Sequence, residues 1–339
     1  MEKKNSLRFD SAAGALCERI RKVVKQIPDG VKEQTQELRL RINRPVSVCC
    51  TGGIYFVTNR GGISCRPGND MLMAEKEDLE ESFHTICSYS IYSHQNEIRN
   101  GYVTLAGGHR VGISGTAVCK EGEITGMRDI SSVNVRIARE IPGAADDIIE
   151  CLHHNLSSGL LLAGAPASGK TTILRDIARQ LSSGICGNIK KVTVVDERGE
   201  LAGTYMGIPQ NDLGVCSDVL DGYPKAQGIL QAVRSLSPEY IICDELGTSD
   251  EVRAVEQGLN AGVSIISSIH AGSIEEFIRR RQAVALLETG AFGNVAILDG
   301  HEHPGTILGV YKAGDLLAEA YRRTDADCGG NARRYYGVA

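Results

Sequence analysis

The stretch Leu160–Leu181, "LLLAGAPASGKTTILRDIARQL", joins an apolar run, a loop of small residues and an amphipathic segment. Within it Gly164, Ala165, Pro166, Ala167, Ser168, Gly169, Lys170 and Thr171 keep the spacing G-x-x-x-x-G-K-[ST], with Thr172 next in line. Small residues let successive backbone N–H groups wrap a phosphate chain. Lys170 supplies a point charge to the β and γ oxygens, Thr171 offers a hydroxyl to Mg²⁺, and the following helix aims its positive end at the anion. This segment is expected to bind a nucleoside triphosphate.

Three further segments place chemistry at the ends of apolar runs. "EYIICDEL" closes on two acids, of which Asp244 is expected to hold Mg²⁺, directly or through water, and Glu245 to orient and polarise an attacking water. "KKVTVVDERGELAG" puts Asp196, Glu197, Arg198 and Glu200 at the carboxyl end of a strand, the edge where open α/β sheets bind ligands. "VSIISSIHAGS" ends its strand at His270, which could sense a γ-phosphate or bond to a neighbouring strand-end acid; a histidine merely held by hydrogen bonds fits the spacing as well. Cys243 reads as a small buried hydrophobe and Arg279–Arg281 as a solvated helix face. His301-Glu302-His303 has ligand-type residues, but nothing near it in sequence completes a metal site.

The elements that must position these residues follow from periodicity. Positions 7–27 read as one amphipathic helix, "QELRLRINRPVSVCC" as a half-buried strand, and "EKEDLEESFHTICSYSI" as a helix with acids in its first turn. Residues 102–138 are β-rich, with Gly-Gly and Glu-Gly turns. From there strand, loop and helix alternate, the pattern of a parallel sheet covered by helices. The expected organisation is an N-terminal α+β domain over 1–142, an α/β domain over 143–314, and a flexible tail over 315–339.

Composition narrows the functional classes. A chain of 339 residues with 42% hydrophobic and 23% charged residues is that of a globular protein with room for two domains. The net charge of −5 gives no global attraction to nucleic acid or anionic lipid, and no run of about 18 apolar residues offers a membrane span. Eleven scattered cysteines without a Cys-x-x-Cys pair argue against a disulfide framework or zinc site, and for reduced thiols in a cytoplasm.

Phosphate loop, strand-end acids, Asp-Glu strand and strand-end histidine occur in the order used by secretion-type (type II/IV) hexameric ATPases. More closely, "ELRLRINRPV", "GHRVGISGTAV", "ASGKTTILRDIARQL", "VTVVDERGELAG", "ICDELGT" and "SSIHAGS" resemble the stage III sporulation protein AA family, over roughly residues 35–310. The resemblance implies a RecA-like P-loop domain and ATP hydrolysis with Mg²⁺ in a ring of six. It also implies a mother-cell cytoplasmic location, at membrane proteins of a channel linking mother cell and forespore; the acidic balance and the lack of an aromatic-basic stripe, apart from the resemblance, argue for no nucleic acid. Residue by residue it matches Lys170 and Thr171 to the phosphate-loop pair and Asp196 and Glu200 to the acidic-box pair. Glu245 matches the second-motif glutamate and His270 the histidine-box residue. Arg110 in "GHRVG" and Arg136 in "VNVRIARE" become candidate arginine fingers, although ordinary strand-face arginines would look the same.

Ala165 and Ala167 stand where close relatives tend to have Pro and Gly, and alanine lacks glycine's access to positive φ. Asp244 stands where glycine is usual, which leaves the division of labour between Asp244 and Glu245 open. Two other readings remain at this stage: a nucleic-acid-dependent ATPase, and a scaffold that binds nucleotide with little turnover.

Overall fold

The structure, a computed structural model, describes residues 2–50, 52–90, 94–153, 156–300 and 303–332. His301 and Glu302 lie outside the described residues. The chain divides into two compact units, Met1–Arg139 with Gly203–Gln210, and Glu140–Ala202 with Asn211–Ala339. The division falls a few residues ahead of the 142/143 boundary read from sequence, and a short segment following the 196–200 acids groups with the N-terminal unit.

The first unit opens on α1 (Glu2–Ala13), α2 (Glu18–Val24) and α3 (Asp29–Gln34) rather than on one helix over 7–27. The break has a tertiary cause that periodicity cannot show. The Cys17 backbone N–H donates to Ser82 Oγ at 2.9 Å, which fixes where the second helix starts. Next come β1 (Thr35–Arg41), β2 (Arg44–Pro45), β3 (Ser47–Cys50), β4 (Gly53–Val57), β5 (Ile63–Ser64) and β6 (Met73–Ala74). They are followed by α4 (Lys76–Ile86), α5 (Gln95–Arg99), β7 (Tyr102–Thr104), β8 (Arg110–Lys120) and β9 (Glu123–Arg136). The stretch expected as one strand over 36–50 instead folds back, β1 pairing antiparallel with β3 around Asn43 at φ +54°, a conformation asparagine tolerates.

Seven antiparallel strands form one sheet in the order β5-β4-β3-β1-β9-β8-β7. Alternation along the strands sends Leu38, Leu40, Val111, Val133 and Val135 into a core with Phe9, Leu16, Ile20 and Leu79. It leaves Glu37, Arg39, Asn134, Arg136 and Arg110 in register on the opposite face.

His109, in the "GHRVG" motif, is 1% exposed; its Nδ1 accepts the Ala138 N–H at 3.1 Å. Nε2 is buried without a partner among the described residues. Burial, with the Arg8 charge adding to it, pushes this imidazole down to about 4. The folded unit therefore holds His109 neutral, whereas the unfolded chain takes up its proton near pH 6.5. Stability is complete above that pH and falls as pH drops toward 4, by about 2 kcal/mol at pH 5. Thermal melts at pH 7.5 and 5 check this, and His109→Gln should flatten the dependence.

The second unit contains α6 (Asp146–Cys151), β10 (Leu160–Gly164), α7 (Lys170–Ser183), β11 (Val192–Asp196), β12 (Ser217–Asp221), α8 (Lys225–Ser235), β13 (Tyr240–Cys243) and α9 (Ser249–Asn260). It continues through β14 (Ser264–His270), α10 (Ile274–Arg279), α11 (Arg281–Glu288), β15 (Asn294–Leu298), β16 (Ile307–Lys312) and α12 (Ala313–Ala332). The strand order is β12-β11-β13-β14-β10-β15-β16, parallel throughout except for the β15–β16 edge pair. The fully buried apolar runs of β10, β11 and β13 are what a sheet covered on both faces requires.

Residues 313–332 form a helix where the sequence suggests a flexible tail from 315, because Leu316 and Ala320 find a core to enter. Among the described residues no helix is long and apolar enough to cross a membrane, and the described cysteines are free thiols. Cys243 is fully buried, its thiol pushed up to about 12 by desolvation.

Candidate functional site

Strand order brings the chemistry together. β11, β13, β14 and β10 are consecutive neighbours, so Asp196, Asp244, His270 and Gly164 all end at one sheet edge. Gly164 lies directly opposite His270 in the β10–β14 register.

The loop between β10 and α7 needs its glycines for different reasons. A side chain at Gly164 would meet Ser168 Oγ at 2.4 Å, and Gly169 combines φ +95° with a backbone neighbour, Gly305, at 2.8 Å. Ala167 also adopts the left-handed region, at φ +61°. The loop therefore keeps this geometry despite alanine, at a cost typical of a non-glycine residue there. Ala167→Gly should stabilise the second unit by about 1 kcal/mol, seen as a raised melting temperature with nucleotide affinity retained. α7, fourteen residues long, begins at Lys170, and its first-turn N–H groups have no intrahelical acceptors.

Lys170 is 5% exposed, and its Nζ donates to the carbonyls of Gly164 and Ala165, each at 2.9 Å. Burial holds this ammonium below the usual lysine range, while Asp244 and Glu245 pull the other way. Its Nζ also lies 3.3 Å from His270 Nδ1. With Nδ1 accepting from an ammonium, the imidazole carries its proton on Nε2, which lies 2.7 Å from Glu245 Oε1. Lys170, His270 and Glu245 thus form a chain of polar contacts across three strand ends. The structure displays the bond of His270 to a strand-end acid, a contact that a histidine merely held by hydrogen bonds makes as well.

Thr171 Oγ1 donates to Asp244 Oδ2 at 2.6 Å, and Ser268 Oγ donates to Asp244 Oδ1. Hydroxyl and carboxylate oxygens at a helix N-terminus suit a hard cation such as Mg²⁺. Among the described residues no group of three or more His, Cys, Asp or Glu side chains forms a metal cage. Thr171 and Asp244 could hold Mg²⁺ together with phosphate oxygens.

Asp196, which the resemblance matches to the acidic-box pair, meets the loop that follows it. It is 3% exposed, and its carboxylate accepts the N–H groups of Glu200, Leu201 and Ala202 at 2.9, 3.1 and 2.7 Å. Burial pushes this carboxyl up; the N–H groups oppose the shift, and the charge of Asp244 adds to it. Asp196 folds the loop back on itself and lines a cleft together with Glu200. Glu197, Arg198, Lys225, Asp244 and Glu245 line the same cleft. The Glu200 carbonyl accepts from Arg175 Nη2 at 2.9 Å, which ties the loop to α7.

Arg110 and Arg136 are cross-strand partners in the first unit. Arg110 lies 3.7 Å from the centre of the Tyr102 ring, and Arg136 Nε is 3.6 Å from Glu37 Oε1. Pro166 and Ala167 are exposed at the loop tip, whereas Ala165 and Thr172 are half-buried at its two ends. Arg280, within the run Arg279–Arg281, pairs with Glu276 one turn earlier.

Ser268, Glu251 and Lys225 escaped the sequence reading, and Arg198, read there as a strand-end residue, has a partner that reading did not name. Ser268 is a strand residue like its neighbours until the β13–β14 register sets it beside Asp244. Arg198 Nη1 reaches Glu245 Oε2 at 3.5 Å. Glu251 accepts the Gly247 and Thr248 N–H groups at 2.7 and 2.8 Å, and its signal, the capping box Thr248-x-x-Glu251, was available in the sequence. Lys225 carries no local signal.

Residues 8–316 match the family described as "Sporulation stage III, protein AA". Stage III sporulation protein AA of Bacillus subtilis (strain 168) is 37% identical over 312 residues, 91% of this chain and 97% of that protein. Among solved structures, the Legionella pneumophila ATPase DotB is similar at a TM-score of 0.51 and 16% identity, over 79% of this chain and 74% of that one. The Yersinia pseudotuberculosis ATPase DotB is similar at 0.51 and 15%, over 79% and 72%. At such identities the likeness concerns the fold, a RecA-like α/β domain preceded by a smaller α+β part. Taken with the match that runs through both units, the chain belongs to the stage III sporulation protein AA family.

Proposed function

We propose that the chain hydrolyses ATP with Mg²⁺ and that this drives or gates a membrane-associated complex between mother cell and forespore during endospore formation. The observation that carries the reading is the convergence at one sheet edge of a buried phosphate-loop lysine, a Thr171–Asp244 pair and a Glu245–His270 pair. In this reading the N–H groups of the loop and of the first turn of α7, with Lys170, bind the phosphates. Mg²⁺, when bound on Thr171 and Asp244, neutralises charge on the β and γ oxygens.

Glu245 orients water and takes its proton, with His270 directing the carboxylate. Glu200 lines the cleft, and Asp196 keeps the loop that carries it in place. Arg110 and Arg136 are assigned to stabilise transition-state charge, on the family resemblance alone. ATP rather than GTP also follows from the family.

Assembly into a ring of six, peripheral attachment to the membrane through partner proteins and a mother-cell cytoplasmic location belong to the same proposal. Its support is family membership and a fold shared with secretion ATPases. Sedimentation of the full chain with Mg²⁺ and ATP tests the ring. A species near six times the monomer mass is expected, and monomer alone across the accessible concentrations would remove the ring from the account.

A further inference from the structure

We propose that Lys225 is a positioning residue for Glu245, an inference that rests on the hydrolysis reading above. Lys225 opens α8 with its side chain only 12% exposed. Its Nζ donates to the backbone carbonyl of Glu245 at 2.5 Å, and lies 3.1 Å from Glu251 Oε1 and 3.8 Å from Glu197 Oε2. These contacts reach the loop after β13, the first turn of α9 and the loop after β11.

Glu251 in turn holds the N–H groups of Gly247 and Thr248. One ammonium therefore secures the segment 245–248 from both ends, directly at Glu245 and through Glu251 at residues 247 and 248. The segment needs holding, because Glu245 sits at φ +49°, a conformation that residues with a Cβ disfavour. If the clamp opens, relaxation of φ toward negative values swings the carboxylate away from His270 Nε2, now at 2.7 Å. The ammonium is committed to main chain and carboxylates, so Lys225 acts through Glu245 and not on the substrate.

The test is a double-mutant cycle on the full chain, with kcat, KM and nucleotide Kd measured for the parent, Lys225→Met, Glu245→Gln and the double variant. Lys225→Met should lower kcat about 10- to 100-fold with KM and Kd changed no more than about threefold, the signature of a misplaced group. The double variant should turn over within about twofold of Glu245→Gln, because a clamp has nothing left to position. Lys225→Gln, which keeps an N–H donor, should recover part of the loss, and it carries the same comparisons if the methionine variant fails to fold.

A second readout needs no turnover: amide exchange at 246–248 should accelerate in Lys225→Met while exchange in β10 stays as in the parent. The proposal is overturned by parental kcat in Lys225→Met, by a loss that multiplies with that of Glu245→Gln, or by unchanged exchange at 246–248. Should Glu245→Gln keep its turnover, the assignment of the base to Glu245 fails by itself, and the exchange measurement alone upholds or overturns the clamp.

Discussion

Glu245→Gln should bind ATP within about threefold of the parent chain and lose about 10²- to 10⁴-fold of its turnover, the range for removing a general base. The substitution is isosteric, and the carboxamide can still meet His270 through its oxygen. What it cannot do is take a proton from water. Glu245 reaches Lys170 only through His270, a bond that the carboxamide oxygen keeps, so the groups around Lys170 and Thr171 stay in place. Phosphate release at saturating ATP and titration with a fluorescent nucleotide separate the two effects. Turnover within a few-fold of the parent would hand the role to another acid, with Glu200 the next on the cleft wall.

Lys170→Met should weaken nucleotide binding about 10- to 100-fold, the loss of charge-assisted hydrogen bonds to phosphate. The direction for stability is the opposite of what loss of a buried contact suggests. Lys170 is buried, and desolvation already disfavours its charged form. Methionine fills much the same volume without that penalty, although the Gly164 and Ala165 carbonyls lose a donor. The melting temperature without nucleotide should therefore stay within a few degrees of the parent, while the stabilisation that ATP confers on the parent disappears. Binding titrations and melts with and without nucleotide check both, and unchanged affinity would remove Lys170 from the phosphate site.

The strand–loop–helix around Lys170 was legible because its pattern is local: eight consecutive residues hold the spacing, the small side chains and the charge. The strand-end acids were legible as a set but not one by one. Asp196 and Asp244 both follow apolar strands, and the sequence cue is the same for each. What separates them is the chain that follows, because the turn at Gly199, with φ +67°, brings three N–H groups back onto Asp196.

The contacts of Ser268, Arg198 and Lys225 were invisible for a related reason. They become neighbours of Asp244 and Glu245 only through the order β11-β13-β14, which no single segment encodes. In the first unit the alternation that places Leu38 and Leu40 in the core was readable. The break before Cys17 was not, since its anchor, Ser82, lies 65 residues away. The exposed residues of the phosphate loop raise the converse case. Alanine at 167 read as a disturbance of the loop, yet it adopts the left-handed geometry at φ +61°.

The most direct test of the account is phosphate release from ATP by the purified full chain, with Mg²⁺ and with EDTA, across protein concentrations that span assembly. The account predicts release that requires Mg²⁺ and that disappears in Glu245→Gln while nucleotide stays bound. Tight ATP binding without release at any concentration, in parent and variant alike, would contradict hydrolysis at this site and leave a nucleotide-bound scaffold in its place.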